Sequence, residues 1–169
     1  MNNLKFVQII NGNMQHFEAA SKLWVPFVEE TNSNDGIYQS KDEILVGLSK
    51  RIAIQGVRHD MHFEIAYHGG DAIGIAMFAI DLGTVYGLLE KGYGTVMGFY
   101  ISPEHRRKGF GSEFWQHIET ILRQDGATHV YLCPDSITGV PFWTHLGFID
   151  SGKVDPDDKK PIFIKECSL

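Results

Sequence analysis

The stretch Ile101-Ser102-Pro103-Glu104-His105-Arg106-Arg107-Lys108-Gly109-Phe110-Gly111-Ser112 decides how this chain is read. Before it, Thr95 to Ile101 reads as a strand stopped by Ser102-Pro103. After it, Phe110, Phe114, Ile118, Ile121 and Leu122, with Trp115, trace one face of a helix that Asp125-Gly126 ends. A strand-to-helix junction aims unpaired amides and the positive end of a helix dipole at one point, which favours an anion. Gly109 and Gly111 carry no Cβ, so a phosphate can come close to the backbone. Arg106, Arg107 and Lys108 add three positive charges beside them. The physical reading is a pyrophosphate cradle; the plainer alternative is a tight turn with solvated basic residues. A Walker loop is excluded because Lys108 precedes its glycine. A dinucleotide fingerprint fails because Phe114 stands where the third glycine belongs.

That basic patch is local. The chain has 169 residues, with 15 Lys plus Arg against 21 Asp plus Glu, a net charge of -6. Such a balance gives no global attraction to nucleic acid or anionic lipid, and no aromatic stacking platform accompanies the patch. Hydrophobic residues at 43% and charged ones at 21% fit a globular chain rather than a disordered or fibrous one. The length favours one domain over residues 1–169. The longest apolar stretch, Ala72 to Ile80, is less than half a membrane span. Met1 to Lys5 lacks the cationic and apolar segments of a signal peptide, and Cys133 and Cys167 make no disulfide framework, so a cytoplasmic protein is expected.

Outward from the junction, Leu4 to Ile9 reads as a first strand. From Met14 to about Glu30, Phe17, Ala20, Leu23, Trp24, Phe27 and Val28 mark a helix that Pro26 should kink or split, with Thr31 to Gly36 as a loop. Ser40 and Glu43 form a capping-box pattern that opens a second helix. Phe63 to His68 and Ala72 to Asp81 read as a hairpin about Gly69-Gly70-Asp71, and Leu82 to Gly94 as a loop or irregular extension. His129 to Cys133 is a strand, Gly139 to Leu146 a short helix, and Phe148 onward and Pro161 to Glu166 the last strands. The order β-α-α-β-β-β-α-β-α-β-β describes a mixed α/β fold: a mostly antiparallel sheet of six to seven strands, flanked by helices, with one βαβ unit.

Arg106-x-x-Gly109-x-Gly111, between that strand and helix, resembles the cofactor motif of the GNAT superfamily of acyl-CoA-dependent N-acetyltransferases. Pro141-Phe142-Trp143-Thr144-His145-Leu146-Gly147-Phe148 is similar to the family's second signature, and Ile73-Gly74-Ile75-Ala76 fits its hairpin strand. The resemblance implies acetyl-CoA as cofactor and acetyl transfer directly to a primary amine of a small molecule or protein. Phe99, Tyr100 and Ile101 would offer backbone groups to the pantetheine arm, and the amides of Arg107 to Ser112 would bind the pyrophosphate. Ser136, Phe142 and Trp143 would complete the cofactor site, and the thioester would lie in the gap where the strands Met97 to Ile101 and His129 to Cys133 splay apart. Trp24, Glu29 and Met97 would line the acceptor pocket. A homodimer through a sheet edge or the final strand is common in the family. The rival reading is a catalytically silent acyl-CoA-binding module or sensor.

Direct transfer needs one group to take a proton from the ammonium and one to protonate the thiolate. Where the family often has glutamate, this chain has Met97; where it often has an acidic tyrosine, it has Trp143, whose indole cannot protonate a thiolate; and Ser136 replaces a common asparagine. The substitute candidates are Glu64 and Glu90 as bases and Tyr100 and Tyr131 as acids. Each also reads as an ordinary solvated carboxylate or sheet tyrosine. Cys133 reads better as a small apolar residue than as an acyl-cysteine. His59-x-x-His62 lacks a third ligand and a helix to fix it, so no metal is expected.

Overall fold

Ser40 opens a helix as its spacing to Glu43 demands: its Oγ accepts from the Glu43 amide at 3.3 Å, and its amide donates to Glu43 Oε2 at 2.7 Å. The computed structural model describes residues 3–58, 60–83 and 88–168. Met1, Asn2, His59, Thr84 to Gly87 and Leu169 lie outside them. The His59-x-x-His62 spacing and the middle of the glycine-rich stretch therefore lie partly outside the described residues.

The elements run β1 (Lys5–Gln8), α1 (Met14–Asp35), α2 (Lys41–Gln55), β2 (Met61–His68), β3 (Asp71–Ile80) and β4 (Gly94–Ile101). A 3-10 turn (Pro103–His105) follows, then α3 (Phe110–Gln124), β5 (His129–Leu132), α4 (Gly139–His145), β6 (Ile149–Val154) and β7 (Pro161–Glu166). This is the expected order with the 3-10 turn added. The strands form a seven-stranded sheet in the order β1-β2-β3-β4-β5-β7-β6. β1 pairs antiparallel with β2, and β7 antiparallel with both β5 and β6. β4 and β5, joined through α3, pair in parallel at Gly94↔Val130 and Thr95↔Tyr131.

One expectation fails at α1, which is neither split at Pro26 nor ended at Glu30. Thr31 Oγ1 donates to the Phe27 carbonyl at 3.0 Å, so a polar residue that favours loops is satisfied within the helix. The true stop is Gly36. At φ +67 it takes the left-handed conformation a helix end requires, and the Ile37 amide returns to the Asn32 carbonyl at 2.9 Å.

The chain forms two compact units, Met1–Met77 with Gly98–Phe114, and Phe78–Met97 with Trp115–Leu169. In the first, Leu23, Trp24, Ile44, Leu48, Phe63, Ile65, Ile75 and Phe114 are buried. Trp24 meets Phe63 and Phe27 edge-on, with ring centroids 5.0 and 5.1 Å away. In the second, Trp115 meets Trp143 and Phe148 at 5.5 and 5.1 Å, over a core of Ile118, Leu122, Val130, Tyr131 and Ile162.

Candidate functional site

β4 ends at Ile101, and the Ser102 amide donates to the Ile73 carbonyl at 2.9 Å, which fixes where the chain leaves the sheet. Pro103 starts the 3-10 turn, closed by amide bonds from His105 to Ser102 and from Arg106 to Pro103. Ser102 Oγ and Glu104 Oε1 both face His105 Nδ1, at 2.8 and 3.4 Å. Both contacts fall on one ring nitrogen, so the trio braces the turn and is no nucleophilic triad.

The chain then takes an uncommon path. Arg107 has φ +60 and Gly109 φ +86. Glycine adopts that region freely, whereas a side chain there costs roughly 1–3 kcal/mol and persists only where its surroundings impose it. The first helical bond of α3 runs from the Glu113 amide to the Gly109 carbonyl at 3.1 Å. The amides of Phe110, Gly111 and Ser112 precede it and have no carbonyl one turn back within the helix. Arg107, Lys108 and Gly109 are exposed, while Phe110 and Phe114 are buried and pin the helix start. The Phe110 ring packs on His68 at 4.7 Å, and Phe114 on Phe6 and Phe99 at 5.1 and 5.5 Å. This cradle of amides with two exposed cations suits a diphosphate.

Arg106 is placed differently from its two neighbours. Its Nε donates to the Ile101 carbonyl and its Nη2 to Glu30 Oε2, both at 2.8 Å, and its guanidinium lies 5.2 Å from the Tyr100 ring centroid. Its charge is spent on Glu30 of α1, 76 positions earlier in the chain. Glu29 itself is exposed on α1. Tyr100 also packs against Phe27 at 5.7 Å. Burial pushes its phenol above the ordinary tyrosine value, although the Arg106 charge pulls the other way. Phe99, one residue earlier, meets α3 through Phe114, so the two rings lie on opposite faces of β4.

Trp24 is deep in the first unit, 3% exposed, with a Cβ-less partner in Gly98: a methyl there would come 2.8 Å from Trp24 Cη2. Glu64 is buried on β2, opposite Gln8 of β1.

In the second unit, Met97 is half-buried and Glu90 exposed in the loop before β4. Tyr131 is fully buried; its hydroxyl donates to Asp81 Oδ2 at 2.9 Å and accepts from the Leu88 amide at 3.0 Å. Burial, with the Asp81 carboxylate beside it, pushes this phenol up to about 12. Asp81, which no sequence signal marked except its place after an apolar run, also accepts from the Gly83 amide at 2.6 Å. Trp143 is packed among Trp115, Phe142 and Phe148, so the indole fills a core position. Ser136 is exposed in a turn held by Asp135, which accepts from the amides of Ile137, Thr138 and Gly139. Burial would raise that carboxyl, but these bonds outweigh it and hold it below the usual range. Burial pushes the Cys133 thiol up to about 11, far from a reactive thiolate.

Among the described residues no three His, Cys, Asp or Glu stand together as a metal site, and no helix is long and apolar enough to cross a membrane.

The fold has counterparts of known structure. PaiA N-acetyltransferase from Thermoplasma acidophilum, in complex with coenzyme A, is similar with TM-score 0.71 and 17% identity, over 97% of this chain and 99% of that one. A GNAT family acetyltransferase from Brucella melitensis, in complex with acetyl-CoA, gives 0.61 and 14% over 100% and 91%. The ribosomal-protein-S18-alanine N-acetyltransferase from Escherichia coli gives 0.61 and 12% over 99% and 96%. No curated protein matches the chain in sequence. The model of the acetyltransferase (GNAT) family matches residues 22–148, well over half the chain and all of the cradle. The chain therefore belongs to the acetyltransferase (GNAT) family.

Proposed function

We propose that the whole chain works as one acetyltransferase domain that moves the acetyl group of acetyl-CoA directly to a primary amine of a small molecule or protein. The observation that carries this reading is the left-handed backbone at Arg107 and Gly109, immediately before the open amides of α3. When bound, acetyl-CoA supplies an acyl group activated as a thioester. The amides from Arg107 to Ser112 hold its diphosphate, and the exposed Arg107 and Lys108 side chains offset its charge. Phe99, Tyr100 and Ile101 present main-chain groups to the pantetheine arm, and Ser136, Phe142 and Trp143 belong to the cofactor side. Trp24, Glu29 and Met97 belong to the acceptor side, Trp24 by shaping it from within the core.

Proton handling falls to Glu64 or Glu90 as acceptor and to Tyr100 as donor. Tyr100 suits that part because burial keeps its phenol protonated. Tyr131 is the weaker candidate, since its proton already serves Asp81. A thiol-release assay over a broad panel of primary amines tests the reading, and release above the hydrolysis background is expected with at least one class. Tyr100→Phe then lowers turnover while cofactor affinity stays within about twofold.

The second reading, a silent acyl-CoA-binding module, is favoured by Trp143 filling a core position where an acid would otherwise stand. Tight acetyl-CoA binding with no thiol release for any amine would select it. Absence of binding at millimolar acetyl-CoA would remove both.

A further inference from the structure

Within the first unit, the residue before the strained Arg107 is fastened through its side chain. Arg106 is held at three points: the Ile101 carbonyl and the Tyr100 ring, both of the preceding strand β4, and Glu30 of α1, the one of the three that is distant in sequence. Both members of the ion pair are about one-third exposed, at 33% and 34%. A left-handed, non-glycine residue needs neighbours that leave it no alternative. Phe110, packed between His68 and His105, supplies that restraint on one side. Arg106 supplies it on the other.

We propose that Glu30 is a positioning residue for the cradle: by drawing Arg106 onto α1 it sets the amides of residues 107–109 and withholds the Arg106 guanidinium from the diphosphate. Anion recognition then falls to main-chain donors together with Arg107 and Lys108. The inference rests on the proposed cofactor reading for its ligand, but its geometry is that of the chain alone. Arginine suits the task because its planar fork bonds a carbonyl and a carboxylate in two directions while its face covers a ring.

The opposite role would reverse the sign of the result. If Arg106 were a phosphate ligand, Glu30 would compete for it, and removing the carboxylate would tighten cofactor binding. As a strut, Glu30→Ala weakens coenzyme A binding by about two- to fivefold, the range of a partly exposed ion pair. Glu30→Gln, which keeps a hydrogen-bond acceptor, falls between it and wild type. Arg106→Ala weakens binding too, and Glu30→Ala adds nothing further in that background.

The experiment is calorimetry of coenzyme A with wild type, the three single variants and the Glu30→Ala/Arg106→Ala double variant. KM values for acetyl-CoA and for the amine are measured alongside where an acceptor is found. Weaker binding in Glu30→Ala, non-additive with Arg106→Ala and seen in KM for acetyl-CoA, bears the proposal out. Tighter or unchanged binding, additive effects, or a change confined to KM for the amine would overturn it. If wild type binds no coenzyme A, the cofactor reading fails, and amide spectra of the same variants decide the strut. Shifted Gly109 and Gly111 resonances in Glu30→Gln sustain it, and unshifted ones refute it.

Discussion

The phenol of Tyr131 gives its hydrogen bond to Asp81 at 2.9 Å, and both side chains are buried, at 1% and 2% exposed. The pair joins β5 to the end of β3, and Asp81 also accepts from the amides of Gly83 and Leu89. A phenol so engaged is a structural donor. Tyr131→Phe leaves a buried carboxylate short of one partner and should lower unfolding stability by about 1–3 kcal/mol. A urea titration measures this, and unchanged stability would show the bond to be dispensable.

The same phenol sets an alkaline limit. Its folded value lies at about 12, above the ordinary 10.0, so the fold favours the protonated form. Stability from this source is complete below pH 10 and is lost as pH rises through about 12. Denaturation midpoints followed between these values should fall in wild type, and fall less steeply in Tyr131→Phe.

Gly98 allows Trp24 to touch the strand. A methyl group there would stand 2.8 and 3.0 Å from two indole carbons and 3.3 Å from Phe27. Gly98→Ala should therefore cost roughly 1–3 kcal/mol through overpacking. Thermal melting reads the effect, and an unshifted Tm would mean that the indole yields without strain.

Acetyl-CoA should raise the melting temperature of the wild-type protein. At ~100 times its dissociation constant the ligand adds about 2.7 kcal/mol. Gly111→Trp places an indole at the open amides and should abolish the rise; a retained rise in the folded variant would remove the diphosphate from this loop.

Cys133 should react slowly with alkylating reagents at neutral pH, its rate climbing only toward its value of about 11. Direct transfer also predicts that Cys133→Ala retains thiol release and that initial-rate lines for the two substrates intersect. Parallel lines would instead indicate a covalent intermediate.

The features legible in advance are those settled within a few positions of chain. The Ser40–Glu43 box and the Gly69-Gly70 turn, with φ of +59 and +95, follow from local backbone chemistry. So does the junction from Ile101 to Ser112, where two glycines and a helix start coincide. The end of α1 escaped because polar Thr31 satisfied itself inside the helix, which composition does not reveal.

Residue order alone thus determined the element succession, the mixed sheet and the loop with anion-binding character, because periodicity and turn chemistry act over short distances. Tertiary structure decided which charges that loop retains. Arg106 meets a carboxylate 76 positions away, Tyr131 one 50 positions away, and Trp143 is enclosed by Trp115 and Phe148. Such partners are chosen by packing, since a charge or ring is satisfied by whatever the fold brings within a few ångströms, and spacing along the chain carries no record of it.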